Sequence, residues 1–180
     1  FQLAPIKVSV SGVIWNGGKV VEDQAATGKN SLYVNDDSDT KVVAAMHNGR
    51  LPIEAGQAYR LSLAAKAAPG QEYLVTLGSF DATGKWFSGR NNDLVFKGTG
   101  QWERQEVVLQ PDRFPAGCVA VDLTLRPVRW SEKGERTGAA WFDDLYFGKA
   151  EGAGNLIKDP SFEDGTGGVQ VTVDWTEFDK

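Results

Sequence analysis

The sequence predicts an all-β fold, a two-sheet antiparallel β-sandwich of the jelly-roll kind. Three observations carry this. Apolar and polar residues alternate in short runs along much of the chain. Turn signals return about every 8–12 residues, the spacing of sandwiches and barrels. No segment keeps a helical period: the Ala-rich piece 63–68 follows a β-like alternation and is cut by Pro69-Gly70.

Taken in order, Ile6, Val8 and Val10 alternate with Lys7, Ser9 and Ser11, which reads as a strand. Trp15 and the turn Asn16-Gly17-Gly18 follow, then Val20-Val21 and the acids Glu22-Asp23. Thr27-Gly28-Lys29-Asn30 is a second turn, and 31–34 a second strand. The acidic run 35–40 lacks the sixth-position Gly and closing Glu of a helix-loop-helix calcium site, so that motif is rejected. Strands are expected over 41–47, 57–66, with Tyr59, Leu61, Leu63 and Ala65 on one face, and 72–80. Asp81 to Gly84 turns the chain into Trp86-Phe87, and 88–93 reads as a polar loop. Strands return at 101–109 and at 118–126, where Val119, Val121, Leu123 and Leu125 face one way and Asp122, Thr124 and Arg126 the other. A polar loop, 127–138, holds Trp130 and leads to the strand 138–147.

Composition narrows the function. The 180 residues carry a net charge of −5 and gather Lys and Arg in no cluster that would mark a nucleic-acid footprint. Apolar runs are too short to span a bilayer. The single Cys118 excludes an internal disulfide. The chain opens at Phe1 without Met, as a mature or excised chain would.

The strand 138–147 contains adjacent carboxylates, Asp143 and Asp144. Neighbours on a regular strand face opposite ways, so either the strand bulges or one acid turns inward. An inward acid needs a partner. A hard cation such as Ca²⁺ is one; a loop cap with the other acid solvated is the plainer reading.

Three segments together, 20–34, the Tyr59 strand after LPIEAGQ, and GAAWFDDLYF, resemble the calcium-containing jelly-roll carbohydrate-binding modules appended to cellulases and xylanases, the group spanning families 4, 9, 16 and 22. Trp102 resembles the Trp ahead of the late strand in that group. The resemblance covers about 1–148 and implies a galactose-binding-like sandwich, over 1–149, with a structural Ca²⁺. It implies as ligands Asp144, Glu22 or Asp23, the backbone carbonyl of Lys29, and Glu163. The early Phe-Glu of the group is missing at the N-terminus, where Gln2 takes the acid's place, and reappears in NLIKDPSFEDG, 155–165. Residues 150–180 are therefore either a linker and the start of a second repeat, or a strand docked on 1–149.

The resemblance also implies a glycan cleft on one outer sheet face. Candidates for it are the rings Trp86 and Trp130 with Arg126, Asp122, Arg60, His47, Arg90 and Asn92. For each, packing or an ordinary solvated position is the plainer alternative. The implied function is a non-catalytic module that binds polysaccharide for a linked, secreted or cell-surface glycan-degrading enzyme. A spacer or adhesion module is the alternative, and a jelly-roll lyase or hydrolase a further one. Catalysis has no local signature: one His, one Cys, and no carboxylate pair placed across a cleft by its spacing. The sugar itself is not named by the sequence.

Overall fold

The computed structural model describes residues 14–38, 40–129, 136–164 and a short strand at 172–173. The expected strand at 6–10 and Trp130 lie outside the described residues. Among those described, the strands are β1 (Trp15–Asn16), β2 (Lys19–Val21), β3 (Ser31–Asp36), β4 (Val42–Val43), β5 (Ala45–His47), β6 (Leu51–Pro52), β7 (Tyr59–Ala67), β8 (Glu72–Phe80), β9 (Asn92–Lys97), β10 (Glu103–Leu109), β11 (Ala120–Arg126), β12 (Gly138–Lys149) and β13 (Thr172–Val173). The one helical turn described is a 3₁₀ turn at Pro111–Arg113.

Two antiparallel sheets form the sandwich. The front sheet runs β1-β5-β11-β8-β9, with β6 also on β11; the back sheet runs β10-β7-β12-β3-β2. A separate pair joins β13 to β4. The alternation in the sequence explains the core. Tyr59, Leu61, Leu63 and Ala65 of β7 and Val121, Leu123 and Leu125 of β11 turn inward from opposite sheets, fully buried or nearly so. They meet Tyr73, Val75 and Leu77 of β8 and Phe142 and Phe147 of β12.

Two expectations change. The polar run 88–93 is a loop only to Asn91. Asn92 begins β9, turned inward and bonded in both directions to Arg113 through its own Nδ2 and Oδ1. The acids of β12 also exchange roles. The register shifts between Asp143 and Tyr146, and Asp144 takes a left-handed φ of 48°. At this bulge Asp143, not Asp144, is the buried acid.

Beyond the bulge β12 no longer pairs with β3, and 155–162 occupies the vacated side. Leu145 N–H donates to Pro160 O, and Leu156 N–H to Phe147 O. The Asn155 side chain accepts from Phe147 N–H and donates to Leu145 O. Phe162 then enters between the sheets, fully buried, its ring 5.4 Å from Trp15. Its φ of 58° is unusual for a non-glycine residue. That conformation costs about 1–2 kcal/mol, which burial of a Phe ring, worth about 1.5–3 kcal/mol, offsets. Glu163 follows and accepts from the backbone N–H groups of Lys29 and Asn30 at 2.8 and 2.9 Å. Gly28 permits this approach: its φ is 63°, and a Cβ there would strike the Glu163 carboxylate.

Phe162→Ala is expected to lower stability by about 3–5 kcal/mol, the usual range for an emptied aromatic site. Glu163→Gln, which keeps an acceptor, should cost under about 1.5 kcal/mol. Urea unfolding of the two variants beside the parent checks both, and equal losses would contradict the ring's leading part.

Candidate functional site

Strand parity creates two outer faces. On the front sheet, Asp122, Thr124 and Arg126 of β11 point outward. They stand in register with Gly78, Thr76 and Leu74 of β8. Next to β8, Asp93 pairs with Thr76 and Val95 with Leu74. Met46 of β5 is opposite Thr124 on the other side and is 41% exposed. This strip follows β8 from Leu74 to Phe80, about 20 Å at strand rise.

Small residues make its floor. Gly78 leaves room for the Asp122 carboxylate, which a Cβ would strike; Gly78 N–H donates to Asp122 Oδ1 at 3.0 Å. Thr76 Oγ1 donates to Asp93 Oδ1 at 2.8 Å. Burial raises the Asp122 pKa, against the Gly78 N–H and the charges of Arg50 and Arg126. Burial also pulls the Arg126 guanidinium down from its usual value, against Asp93 and Asp122. An arginine stays protonated regardless. Among the described residues Arg126 is in no ion pair, and its Nε is buried without a hydrogen-bond partner. The strip therefore holds a planar donor and two acceptors on one face, the complement of sugar hydroxyls.

Rings close one end. Trp86 bridges to Phe80, is 45% exposed, and donates its indole N–H to Asn91 Oδ1 at 2.9 Å. The Arg50 guanidinium lies 3.6 Å from the Phe80 ring centroid. Arg90 is exposed on the loop between Trp86 and β9.

The candidates read from the sequence thus divide. Trp86, Asp122 and Arg126 share the front face, with Arg90 at its margin. Asn92 and His47 point into the sandwich. Arg60 is on the outer face of the back sheet, the thickness of the core away, where its guanidinium lies 4.6 Å from the Tyr146 ring. Thr76, Asp93, Arg50 and Met46 escaped the sequence reading. Their signal was weak: Asp93 sat in what read as a loop, and Thr76 in a strand whose two faces the sequence did not separate.

His47 is held as a neutral ring. Its Nε2 accepts from Lys158 N–H at 3.2 Å, so Nδ1 carries the proton and donates to Gly49 O at 3.1 Å. The ring stacks edge-on against Trp15. Burial lowers its pKa, and the Lys158 charge adds to this.

The expected calcium site is overturned. Among the described residues no group of three or more His, Cys, Asp or Glu side chains could hold a metal ion. The acids are satisfied otherwise. Asp143 Oδ2 accepts from the N–H groups of Ala26 and Thr27, at 2.8 and 3.1 Å, and its Oδ1 from Asp144 N–H. Asp144 Oδ1 accepts from Thr27 Oγ1 at 2.7 Å, and Glu163 takes the N–H groups of Lys29 and Asn30. Glu22 and Asp23 are exposed. Backbone amides supply the positive ends that a cation was expected to supply.

No protein-family model matches the chain, and no curated protein matches it. Solved structures do. The CBM22-1 xylan-binding domain of Paenibacillus barcinonensis Xyn10C aligns at a TM-score of 0.55 and 13% identity, over 77% of this chain and 87% of that one. The C-terminal family 22 carbohydrate-binding module of Clostridium thermocellum Xyn10B aligns at 0.52 and 14%, over 83% and 92%. The CBM22-1–GH10 modules of C. thermocellum Xyn10B, complexed with xylohexaose, align at 0.54 and 14%, over 82% of this chain and 26% of that one. At these identities the likeness is one of fold alone, the two-sheet jelly-roll sandwich.

His47 generates a test. It is the only histidine, so its ring protons titrate alone in a proton NMR spectrum. They should move at a pH below the ordinary value of about 6.5. Because the unfolded chain binds this proton more readily, the contribution to stability is complete above about pH 6.5. It is lost as pH falls from there to the folded-state pKa. Urea midpoints between pH 7.5 and 5.5 should fall for the parent and fall less for His47→Gln. A ring titrating above the ordinary value would contradict the assigned tautomer.

Proposed function

We propose that this chain is a non-catalytic polysaccharide-binding module whose front face takes a glycan chain along the strip from Leu74 to Phe80. Arg126 donates to hydroxyls, Asp122 and Asp93 accept from them, and Trp86 supplies a ring for the C–H face of a sugar at the end of the strip. An aromatic side chain gives this contact area at little entropic cost. The observation that carries the reading is Arg126: a half-buried guanidinium on the outer face of β11, in no ion pair among the described residues, with Asp93 and Asp122 near enough to act on its charge. A hydrogen bond from a charged donor of this kind is worth about 1.5–3 kcal/mol.

The fold neighbours support the class of ligand. Two of them are named for binding xylan or carbohydrate, and a third is joined to a GH10 module and complexed with xylohexaose. On this reading the module holds an attached glycan-degrading enzyme on its insoluble or polymeric substrate outside the cell. Arg90 remains a proposed margin of the same strip.

Affinity electrophoresis in gels containing xylan, mixed-linkage glucan or mannan, with reducing ends measured in parallel, tests it. At least one neutral polysaccharide should retard the protein without new reducing ends. Arg126→Ala and Trp86→Ala should each weaken retardation about tenfold, a loss of about 1.4 kcal/mol. New reducing ends would make it an enzyme, and no retardation on any polymer a spacer. Retardation unchanged in both variants would move the site off the front face.

A further inference from the structure

The opposite side of the sandwich carries an arrangement that the front-face reading does not use. Lys19, Tyr33, Trp141 and Lys66 stand in direct register across β2, β3, β12 and β7, forming one row perpendicular to the strands. At the usual strand separation the row is about 14 Å long. Its order is cation, ring, ring, cation. The Tyr33 and Trp141 centroids are 4.9 Å apart, and Lys66 Nζ is 6.0 Å from the Trp141 centroid. Gln24 Oε1 accepts from Lys66 Nζ at 2.8 Å and fixes where that charge sits. Trp102, the residue before β10, comes next in register beyond Lys66, because Glu103 pairs with Ala65. All three rings are half-buried, and none belongs to the cluster that fills the space between the sheets.

Charge is uneven on this face. Arg60 and Arg104 stand outward on the same sheet, Arg104 donating to Ser62 Oγ at 3.1 Å. Among the described residues none of Lys19, Arg60, Lys66 and Arg104 is in an ion pair. Of the outward acids on these strands, Glu106 is exposed, while Asp143 is buried and bonded to amides; Glu22 and Asp23 are exposed on the bordering loop. A chain of net charge −5 thus keeps unpaired cations beside its outward rings.

We propose that this row is a second binding surface, for a carboxylated polysaccharide. Each residue of a uronate polymer offers a C–H face and a carboxylate together. The rings match the first, and the lysines at the two ends match the second. A nucleic acid fits less well, since it needs a continuous basic track along its phosphates.

Isothermal titration with a galacturonate oligomer tests this, with oligodeoxythymidylate as the control and a neutral xylan oligomer beside both. The galacturonate oligomer should bind, more weakly as salt rises. Lys19→Met with Lys66→Met should weaken it at least tenfold, Lys66→Arg should largely retain it, and Arg126→Ala should leave it unchanged. Trp141→Ala should also weaken it, provided its thermal unfolding matches the parent; the lysine variants carry the test if it does not. Absence of binding by the parent, binding indifferent to the lysine pair, or equal affinity for oligodeoxythymidylate would overturn the proposal. The xylan arm reads the front face separately, so either surface can fail without the other.

Discussion

The organising constraint is the Asp143 carboxylate at the β12 bulge. An acid with no exposed surface, in a strand otherwise lined by apolar neighbours, is expensive unless its oxygens are satisfied. Here Ala26, Thr27 and Asp144 N–H groups satisfy them. Burial still raises its pKa, with the Asp144 charge pushing the same way, so the amides offset the desolvation only in part. The consequence is architectural. To keep those bonds, the 22–30 loop must lie over the end of β12, and the strand must shift register. That shift ends the pairing of β12 with β3 at Phe142–Leu32.

The vacated side of β12 is what the 155–162 segment fills. Unpaired N–H and C=O groups on a strand inside a sandwich are costly. Asn155 uses both ends of its amide on β12, and Leu145 and Leu156 find main-chain partners. Phe162 closes the same end of the core against Trp15, and His47 of β5 also packs on that indole, edge-on. Lys158 N–H then reaches His47 Nε2. Bulge, segment and histidine are thus one connected structure that joins the two sheets at one rim.

Much of this was legible in the residues. The alternation of β7 and β11 gave their inward faces directly, because period two leaves no other arrangement once one face is apolar. The Asp143-Asp144 pair announced a bulge or an inward acid, and the bulge occurs, while Asp143 keeps the outward parity of Trp141 and is buried under the 22–30 loop. Which acid would be buried was not legible, since the residues that cover it, Ala26 and Thr27, are more than a hundred positions away. The partner was not legible either: a carboxylate is satisfied as well by three amides as by a cation, and residue type does not distinguish them. His47 was misplaced as a rim residue because its partner, Lys158 N–H, is 111 residues away and belongs to the main chain. Arg60 and Arg126 looked equivalent, each outward on an alternating strand. Sequence parity says which face of its own sheet a residue takes, and nothing about which sheet.

That last ambiguity explains how one sandwich can support two surfaces of different character. The inward half of each strand is committed to the core; the outward half is free to vary. On the front sheet the outward charges compensate one another, with Asp93 and Asp122 acting on Arg126 and Arg50 on Asp122. The result is polar, close to neutral and dominated by directional hydrogen bonds. On the back sheet the cations have rings for neighbours, Arg60 over Tyr146 and Lys66 over Trp141. Rings attract a cation without neutralising it, so the field there stays open to an anion. The two faces differ in the acids that act on their cations: Asp93 and Asp122 reach Arg126, and Asp122 lies beside Arg50, whereas Lys66 and Arg60 have rings for neighbours and no ion pair among the described residues; the two proposed ligand classes rest on that difference.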